Sequence, residues 1–404
     1  MKILMLTPYL PYPPASGGQI RTLNLLKYLS KNHKITLISL YKNAKEKQYA
    51  SQLESYCEHI YVCKRAEKPW QVNIIAQAVL TPNPLLIVRN FSEEAHTLIR
   101  NLLKTQTFDV IHAETFYIMP HIGETDIPIL LVEQTIEYKV YQHFVNKLPL
   151  PIRPFLYSDI IKLKYWETYY WKKATVVGTV SEFDRQMIQT LTPQISPVVI
   201  PNGAGDEMFV DKVIDKDLSQ PKLLFMGNFY WLQNVEAANF IINSLLPELK
   251  KRFPKIKIII AGQNAKDKLT NIPDENLEII TIGQEDEKLV KKLYYDSTLF
   301  IAPIYGPGGT RLKILAAMAA GLPIISTQVG VEGLAVENRK HVLVANTVDD
   351  FIEQITVALN DKKLVDNMQK NAYKLVKDSY SWSAIAKKLE VVYRSIRKNN
   401  ENRH

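Results

Sequence analysis

Short apolar runs rich in Val, Ile and Leu recur along the chain, and longer stretches with helical spacing separate them. In the first half the runs are Lys2–Leu6, Ile35–Leu40, Ile60–Cys63, Val110–Ala113, Ile129–Val132, Val176–Val180 and Val198–Ile200. The second half repeats the style with Lys222–Met226, Ile256–Ala261, Leu277–Ile282, Thr298–Ala302, Pro323–Ser326 and Val342–Ala345. A run that is apolar on both faces predicts a strand covered on both sides, and alternation with helices predicts parallel βαβ units. The expected fold class is therefore α/β, with two doubly wound parallel-sheet domains, Rossmann-like, facing each other across a cleft. The first domain is placed at residues 1–203 and the second at 221–379. Between them, 204–220 reads as a linker, with Asp, Gly and Lys but no clear period. Residues 348–399 look helical with a break near Tyr380-Ser381-Trp382-Ser383, where Ser381 suits an N-cap. Residues 380–404 are expected to form a final helix that packs back toward the first domain and braces both, with Trp382 in a packing role.

Composition narrows the classes. The 404 residues suit two domains, and 46% hydrophobic with 23% charged residues excludes a largely disordered chain. The net charge of +9 is spread over both halves without a basic tail or a recognition motif, so nucleic acid is not an expected partner. Cys57 and Cys63 cannot supply a disulfide framework or a four-ligand zinc site and are expected as reduced thiols. No apolar run approaches the roughly 18 residues of a membrane span, and the apolar start is shorter than a signal-peptide core. A cytoplasmic location is expected.

In doubly wound sheets ligands bind outside the carboxyl ends of the strands, so the loops after strands carry the candidate chemistry. The segment from Pro307 through Gly308, Gly309, Thr310, Arg311, Leu312 and Lys313 to Gly321 and Pro323 follows a predicted strand and opens a short helix. Gly308 and Gly309 let backbone N–H groups approach a ligand, and the helix start favours an anion. Arg311 and Lys313 would sit in a first turn whose dipole disfavours cations, which fits a diphosphate held between them. Ser16-Gly17-Gly18 follows the first strand and a Pro-rich loop, and reads equally as a backbone approach to a phosphate or sugar and as a plain helix entry. Glu133 and Glu137 lie four apart at a strand-to-helix junction and would share one helix face if the helix begins early. His112, with Glu114 after it, ends another strand, as a cleft contact or as a buried structural histidine. Pro201-Asn202-Gly203 is a turn and hinge candidate. The aromatic and basic residues from Phe155 to Lys173 suit core packing or a membrane surface. The lone Asp215-Lys216-Asp217 lies in the linker, and no His or Cys cluster has metal-ligand spacing.

The motifs together resemble the family 4 glycosyltransferases, retaining nucleotide-sugar enzymes of the two-Rossmann GT-B fold, over residues 1 to about 396. The Gly17-Gly18 loop, Val180-Ser181-Glu182, Pro201-Asn202-Gly203, Phe225-Met226-Gly227-Asn228 and the Gly308–Gly321 helix fall in the family's order. Arg311-Leu312-Lys313-Ile314-Leu315, Met318-Ala319-Ala320-Gly321 and Gly330-Val331-Glu332-Gly333-Leu334 are particularly like a bacterial branch that builds surface polysaccharides. The resemblance implies a UDP- or GDP-linked sugar in the second domain and a glycan or lipid-linked acceptor in the first. It implies transfer with retention by a front-side route, no cofactor, no metal, and work at the inner face of the membrane. Arg311, Lys313, His112 and Glu133 are the candidate catalytic residues. Gly17, Gly18, Asn202, Gly227, Asn228, Gly308, Gly309, Thr310 and Ala316 are the candidate donor-binding positions.

Two departures stand out. The family's Glu-x7-Glu pattern appears here as Gly308 and Ala316, and its common basic pair as Asn228 and Gln233. A methyl at position 316 cannot accept hydrogen bonds from a ribose. The alternatives are a catalytically silent GT-B protein that binds a glycan or regulates a partner, and a GT-B sugar-nucleotide epimerase.

Overall fold

The computed structural model describes residues 1–68, 70–211, 218–269, 273–283, 286–306 and 312–401, with side chains through residue 398. Each of the thirteen apolar runs forms a strand: β1 (Lys2–Thr7), β2 (Lys34–Tyr41), β3 (His59–Lys64), β4 (Val110–Glu114), β5 (Ile129–Glu133), β6 (Val176–Thr179), β7 (Val198–Val199), β8 (Lys222–Met226), β9 (Lys257–Gly262), β10 (Leu277–Thr281), β11 (Leu299–Ala302), β12 (Ile324–Ser326) and β13 (Leu343–Val344). They make two sheets, ordered β3-β2-β1-β4-β5-β6-β7 and β10-β9-β8-β11-β12-β13. Neighbours pair in parallel, β1 with β2 and β4, and β8 with β9 and β11. The absence of polar alternation is explained by burial: Ile3, Leu4, Met5 and Leu6 are all fully buried, as are Leu299, Phe300, Ile301 and Ala302.

Each sheet starts in its middle and grows outward in both directions, so the order reverses between β1 and β4 and again between β8 and β11. Right-handed crossovers then put helices on both faces and leave a crevice at the carboxyl ends of those two strand pairs.

The chain divides into two compact units, Met1–Pro201 with Ile385–His404, and Asn202–Ala384. The stretch expected as a linker holds a short turn at Asp206–Met208, while 212–217, with Asp215 and Asp217, lie outside the described residues. In the second unit Ala204 donates its N–H to the Tyr380 carbonyl at 2.9 Å and bridges to Ser381. The Ser381 hydroxyl accepts from the Ala384 N–H at 3.4 Å, near the start of the helix Trp382–Glu401, and Trp382 is fully buried. The helix Leu312–Ala319 stops at Gly321, whose φ of 68° is left-handed. Its end is closed by Gly321 N–H to the Met318 carbonyl and Leu322 N–H to the Ala317 carbonyl, a Schellman arrangement.

Candidate functional site

In the second unit the carboxyl end of the β8–β9 pair is built by close backbone approach. Gly262, at the end of β9, has a φ of +146°, and a Cβ there would lie 1.8 Å from the Gly227 carbonyl oxygen. Only glycine fits. Beyond these strands a line of polar side chains runs toward the helix that starts at Leu312. Gln263 accepts from Asn228 Nδ2 at 2.9 Å, Asn234 Nδ2 donates to the Asn228 carbonyl at 2.7 Å, and Lys313 Nζ donates to Asn234 Oδ1. Lys313 Nζ also sits 4.9 Å from the centre of the Phe225 ring. The ammonium is thus fixed at the helix start, at the switch point. Ala316, half-buried, lies three residues along the same helix. Gly308, Gly309, Thr310 and Arg311 lie outside the described residues. Asn202 is buried at the start of the second unit. Asn234 is the residue that the sequence pattern did not single out; the partner it serves, Lys313, was.

The corresponding crevice of the first unit is occupied by its own charged side chains. Arg21, fully buried on the helix Gly17–Leu29, donates from Nε to Glu114 Oε1 at 3.3 Å and from Nη1 to the carbonyls of Ile200 and Pro201 at 3.1 and 3.0 Å. His112 shares Nε2 with the same Glu114 oxygen at 3.1 Å and Nδ1 with the Tyr393 hydroxyl. Gln134 Nε2 donates to Glu114 Oε2 at 2.7 Å and to the Tyr9 hydroxyl at 2.6 Å. Burial alone would push the Glu114 carboxyl up, but the Arg21 charge and the bonds from His112 and Gln134 outweigh it and hold its pKa down at about 2. Burial, then the charge of Glu114, pushes the phenols of Tyr9 and Tyr393 up. Ser16 caps the helix start, and a Cβ on Gly18 would meet the Tyr9 hydroxyl at 2.3 Å and Gln134 Oε1 at 2.7 Å. The second glycine of the pair therefore makes room for Tyr9 and Gln134.

Glu133 and Glu137 do not share a helix face. Glu133 is the last residue of β5, and the next helix begins at Glu137, because Glu167 caps it from outside. Glu167 Oε1 and Oε2 accept the N–H groups of Glu137 and Tyr138 at 2.7 and 3.2 Å, so the backbone turns into the helix only there. Glu133 is buried and accepts from Trp171 Nε1 at 2.9 Å. Burial first, with the neighbouring carboxylates adding to it, raises the pKa of both Glu133 and Glu167. Burial also raises Glu137, to about 7, against the opposing charge of Arg89.

The helix Arg153–Lys173 carries the aromatic and basic stretch, and it divides by face. Leu163, Glu167 and Trp171 are buried, whereas Phe155, Ile161 and Tyr165 are exposed. Lys162 and Trp166 donate to the carbonyls of Ala78, Thr81 and Pro82, which fixes the helix Val72–Leu80 beside it. Val72, Leu80 and Phe155 are 84, 83 and 80% exposed. Val72–Leu80 was not among the segments expected to face a membrane surface, although its apolar residues, broken only by Asn73 and Gln77, carry that signal. Among the described residues no helix is long and apolar enough to cross a membrane, and no three His, Cys, Asp or Glu group together as metal ligands. Cys57 and Cys63 are free thiols pushed up to about 12 by burial.

With this geometry in view, residues 220–361 match the family model described as glycosyl transferases group 1. An uncharacterized 44.6 kDa protein in the cps region of Klebsiella pneumoniae is 25% identical over 398 residues, spanning 94% of this chain and 96% of its own. A phosphatidyl-myo-inositol mannosyltransferase of Mycolicibacterium smegmatis is 22% identical over 316 residues, 76% of each chain. Among solved structures, HepE of Anabaena in complex with UDP-glucose superposes with a TM-score of 0.65 at 13% identity, covering 98% of this chain and all of its own. The two sheets thus have the GT-B fold of solved glycosyltransferases, and the second unit carries a match to glycosyl transferases group 1.

Proposed function

We propose that the second unit binds a nucleotide-diphosphate sugar, UDP- or GDP-linked, outside the carboxyl ends of β8 and β11, and that the first unit receives a glycan or lipid-linked acceptor. The observation that carries this reading is Lys313, held at the start of a helix by Asn234 and Phe225, next to the strand ends where Gly227 and Gly262 meet backbone to backbone. A cation fixed there is placed for the charge that develops on a leaving diphosphate, and it needs no rearrangement when that charge appears. Arg311, Thr310 and the Gly308–Gly309 backbone are read as partners of Lys313 in the same task, with Asn202, Gly227 and Asn228 on the donor side. The HepE structure holds UDP-glucose in a chain of the same fold, which supports a nucleotide-sugar donor.

Transfer is proposed to retain configuration and to need no metal ion. With both ring nitrogens of His112 engaged by Tyr393 and Glu114, its part is to hold Glu114 in place at the end of β4. Glu133, buried against Trp171, is read as a positioning residue for the same region. The exposed apolar face shared by Val72–Leu80 and Arg153–Lys173, bordered by Lys164, Lys172 and Lys173, supports peripheral contact with a membrane at the cytoplasmic surface.

The test is the melting temperature of the full chain against a panel of UDP- and GDP-linked sugars. A ligand at a hundred times its Kd stabilises by about 2.7 kcal/mol, a shift of roughly 5–10 °C for a domain of this size. One member of the panel should shift the second unit, and the same sugar should be transferred equally well with EDTA present. A panel without any shift overturns the donor assignment.

A further inference from the structure

The structure assigns a second charged cluster, away from the Arg21–Glu114 network, that the transfer reading has not used. Lys42 and Arg65 are the first residues after β2 and β3, and they stand side by side, since Tyr41 is paired with Lys64 and the Arg65 N–H donates to the Tyr41 carbonyl at 3.0 Å. Arg89 lies in the last turn of the short helix Leu85–Asn90, which packs on the turn Phe116–His121 that follows β4, with the Phe91 ring after it stacked on His121. All three side chains are half-buried. Three cations thus meet at the carboxyl edge of the first sheet, at β2 and β3, to one side of the switch point between β1 and β4.

The feature that points to a ligand is the lack of counter-ions. Lys42 has one, with Nζ 3.7 Å from Glu46 Oε1. Nε of both Arg65 and Arg89 is buried without a hydrogen-bond partner, and neither guanidinium forms an ion pair among the described residues. Unpaired guanidinium groups are costly to bury and ordinarily find carboxylates. Glu137 and Asp159 feel the charge of Arg89, yet Asp159 is committed to the Leu85 N–H at 2.8 Å and Glu137 is raised by burial toward its neutral form. Burial first, and then the like charge of Arg89, lowers Arg65 to about 10, with Tyr117 and Glu46 acting the other way. An anion that accepts from both forks would offset the repulsion between the two cations.

We propose that Arg65 and Arg89, with Lys42 beside them, form a subsite for a phosphate or diphosphate monoester on the acceptor. Planar guanidinium forks suit phosphate oxygens, which they grip in pairs. The proposal rests on the reading of the first unit as the acceptor unit, and it adds that the acceptor is anionic. The neighbouring helix Val72–Leu80 packs on the helix of Arg89 through Ile74, Ala78 and Val88, so the exposed apolar face and the cation pair belong to adjoining elements. A phosphate borne by a lipid and a phosphate on a soluble sugar share the chemistry, and the experiment separates them.

The full chain, with saturating UDP to fill the nucleotide site, is titrated calorimetrically with inorganic pyrophosphate and compared with the Arg65→Gln/Arg89→Gln variant. Binding should weaken at least tenfold in the variant, while the UDP-induced rise in melting temperature is unchanged and the variant melts no lower than the parent. Equal binding in both proteins, or no binding to the parent, overturns the subsite. A lowered melting temperature with pyrophosphate binding intact also overturns it, since the pair would then be structural. If UDP gives no shift but pyrophosphate binding is still lost in the variant, the subsite stands and the donor reading fails. Sedimentation with phosphatidylcholine vesicles, with and without a polyprenyl diphosphate, then assigns the source. Enhancement by the diphosphate in the parent alone supports a lipid-borne acceptor. No enhancement beside intact pyrophosphate binding supports a soluble one.

Discussion

The two units share a strand order and differ in how they fill the crevice that the order creates. In the first, the switch point between β1 and β4 is packed with a buried network in which one carboxylate, Glu114, serves Arg21, His112 and Gln134. In the second, the switch point between β8 and β11 is bounded by glycine backbone, short amides and one ammonium. The same topology can therefore hold a buried charged network or a chain of amides that ends on a lysine. The first arrangement fixes geometry at the cost of tolerance to change; the second ties its amides to one another and to Lys313, which fixes the ammonium. The proposed placement of a charged donor in the second unit rests on this contrast.

The contrast is broken most severely by removing Glu114. Glu114→Ala leaves Arg21 buried without its carboxylate, and breaking such a pair costs about 3–5 kcal/mol. Urea unfolding followed by a probe in the first unit should show that loss, while the UDP response of the second unit survives. The pH dependence has a defined sign. The carboxyl is depressed from an ordinary 4.5 to about 2, so its contribution is complete above pH 4.5 and is lost as pH falls toward 2. The counterpart in the second unit is Gly262→Ala, where left-handed strain and a backbone clash together cost roughly 3 kcal/mol or more. Its unfolding transition should move in the second unit only; a shift confined to the first would refute the assignment of the clash.

Lys313→Met is expected to act on binding rather than on folding. The methionine keeps the contact with Phe225 but loses the charge, and nucleotide affinity should fall about 10- to 100-fold, or roughly 1.4–2.8 kcal/mol. An unchanged affinity would remove Lys313 from the site. A smaller effect is expected from Glu133→Gln. Burial raises Glu133, so its folded form stays protonated while the unfolded form ionises, and stability falls as pH rises above about 4.5. The amide can still accept from Trp171 and does not titrate. Melting temperatures of parent and variant should diverge between pH 5 and 8, with the variant the flatter of the two.

The strands were readable because burial on both faces erases alternation, and every apolar run of that kind became one. The second unit's polar chain was readable in part for a related reason: glycine and a helix-start lysine are local signals, visible as Gly227 and Lys313 in the sequence. What escaped was long-range pairing. Nothing local to Arg21 announces that it meets Glu114, 93 positions away, and a helix starting at Glu137 instead of earlier depends on Glu167, 30 positions further on. Lys42 and Arg65 carried a signal that could have been used, since each is the residue directly after a strand. Arg89 became their neighbour only through the packing of its helix on the turn after β4.

The mildest change bears on the second unit's cradle at its weakest point. The resemblance places a glutamate where this chain has Ala316, three residues beyond Lys313 and half-buried on the helix that opens the crevice. Ala316→Glu would add an acceptor for ribose hydroxyls, and a charge-assisted hydrogen bond is worth about 1.5–3 kcal/mol when nothing competes. Here something does compete. A carboxylate at 316 is within reach of Lys313 at the i,i+3 spacing, and a pair between them is worth about 0.2–0.5 kcal/mol and draws the ammonium away from Asn234. With the ammonium's own hold on the diphosphate weakened as well, the gain in nucleotide affinity should fall to the low end of that range, about five- to tenfold, with little change in melting temperature of the free chain. Affinity and transfer rate should rise together if Ala316 merely weakens an active enzyme. Transfer that appears only in the variant would mean that the parent is a silent binder. Tighter nucleotide binding with no transfer in either protein would leave the second unit as a nucleotide cradle and move the search for chemistry to the acceptor side.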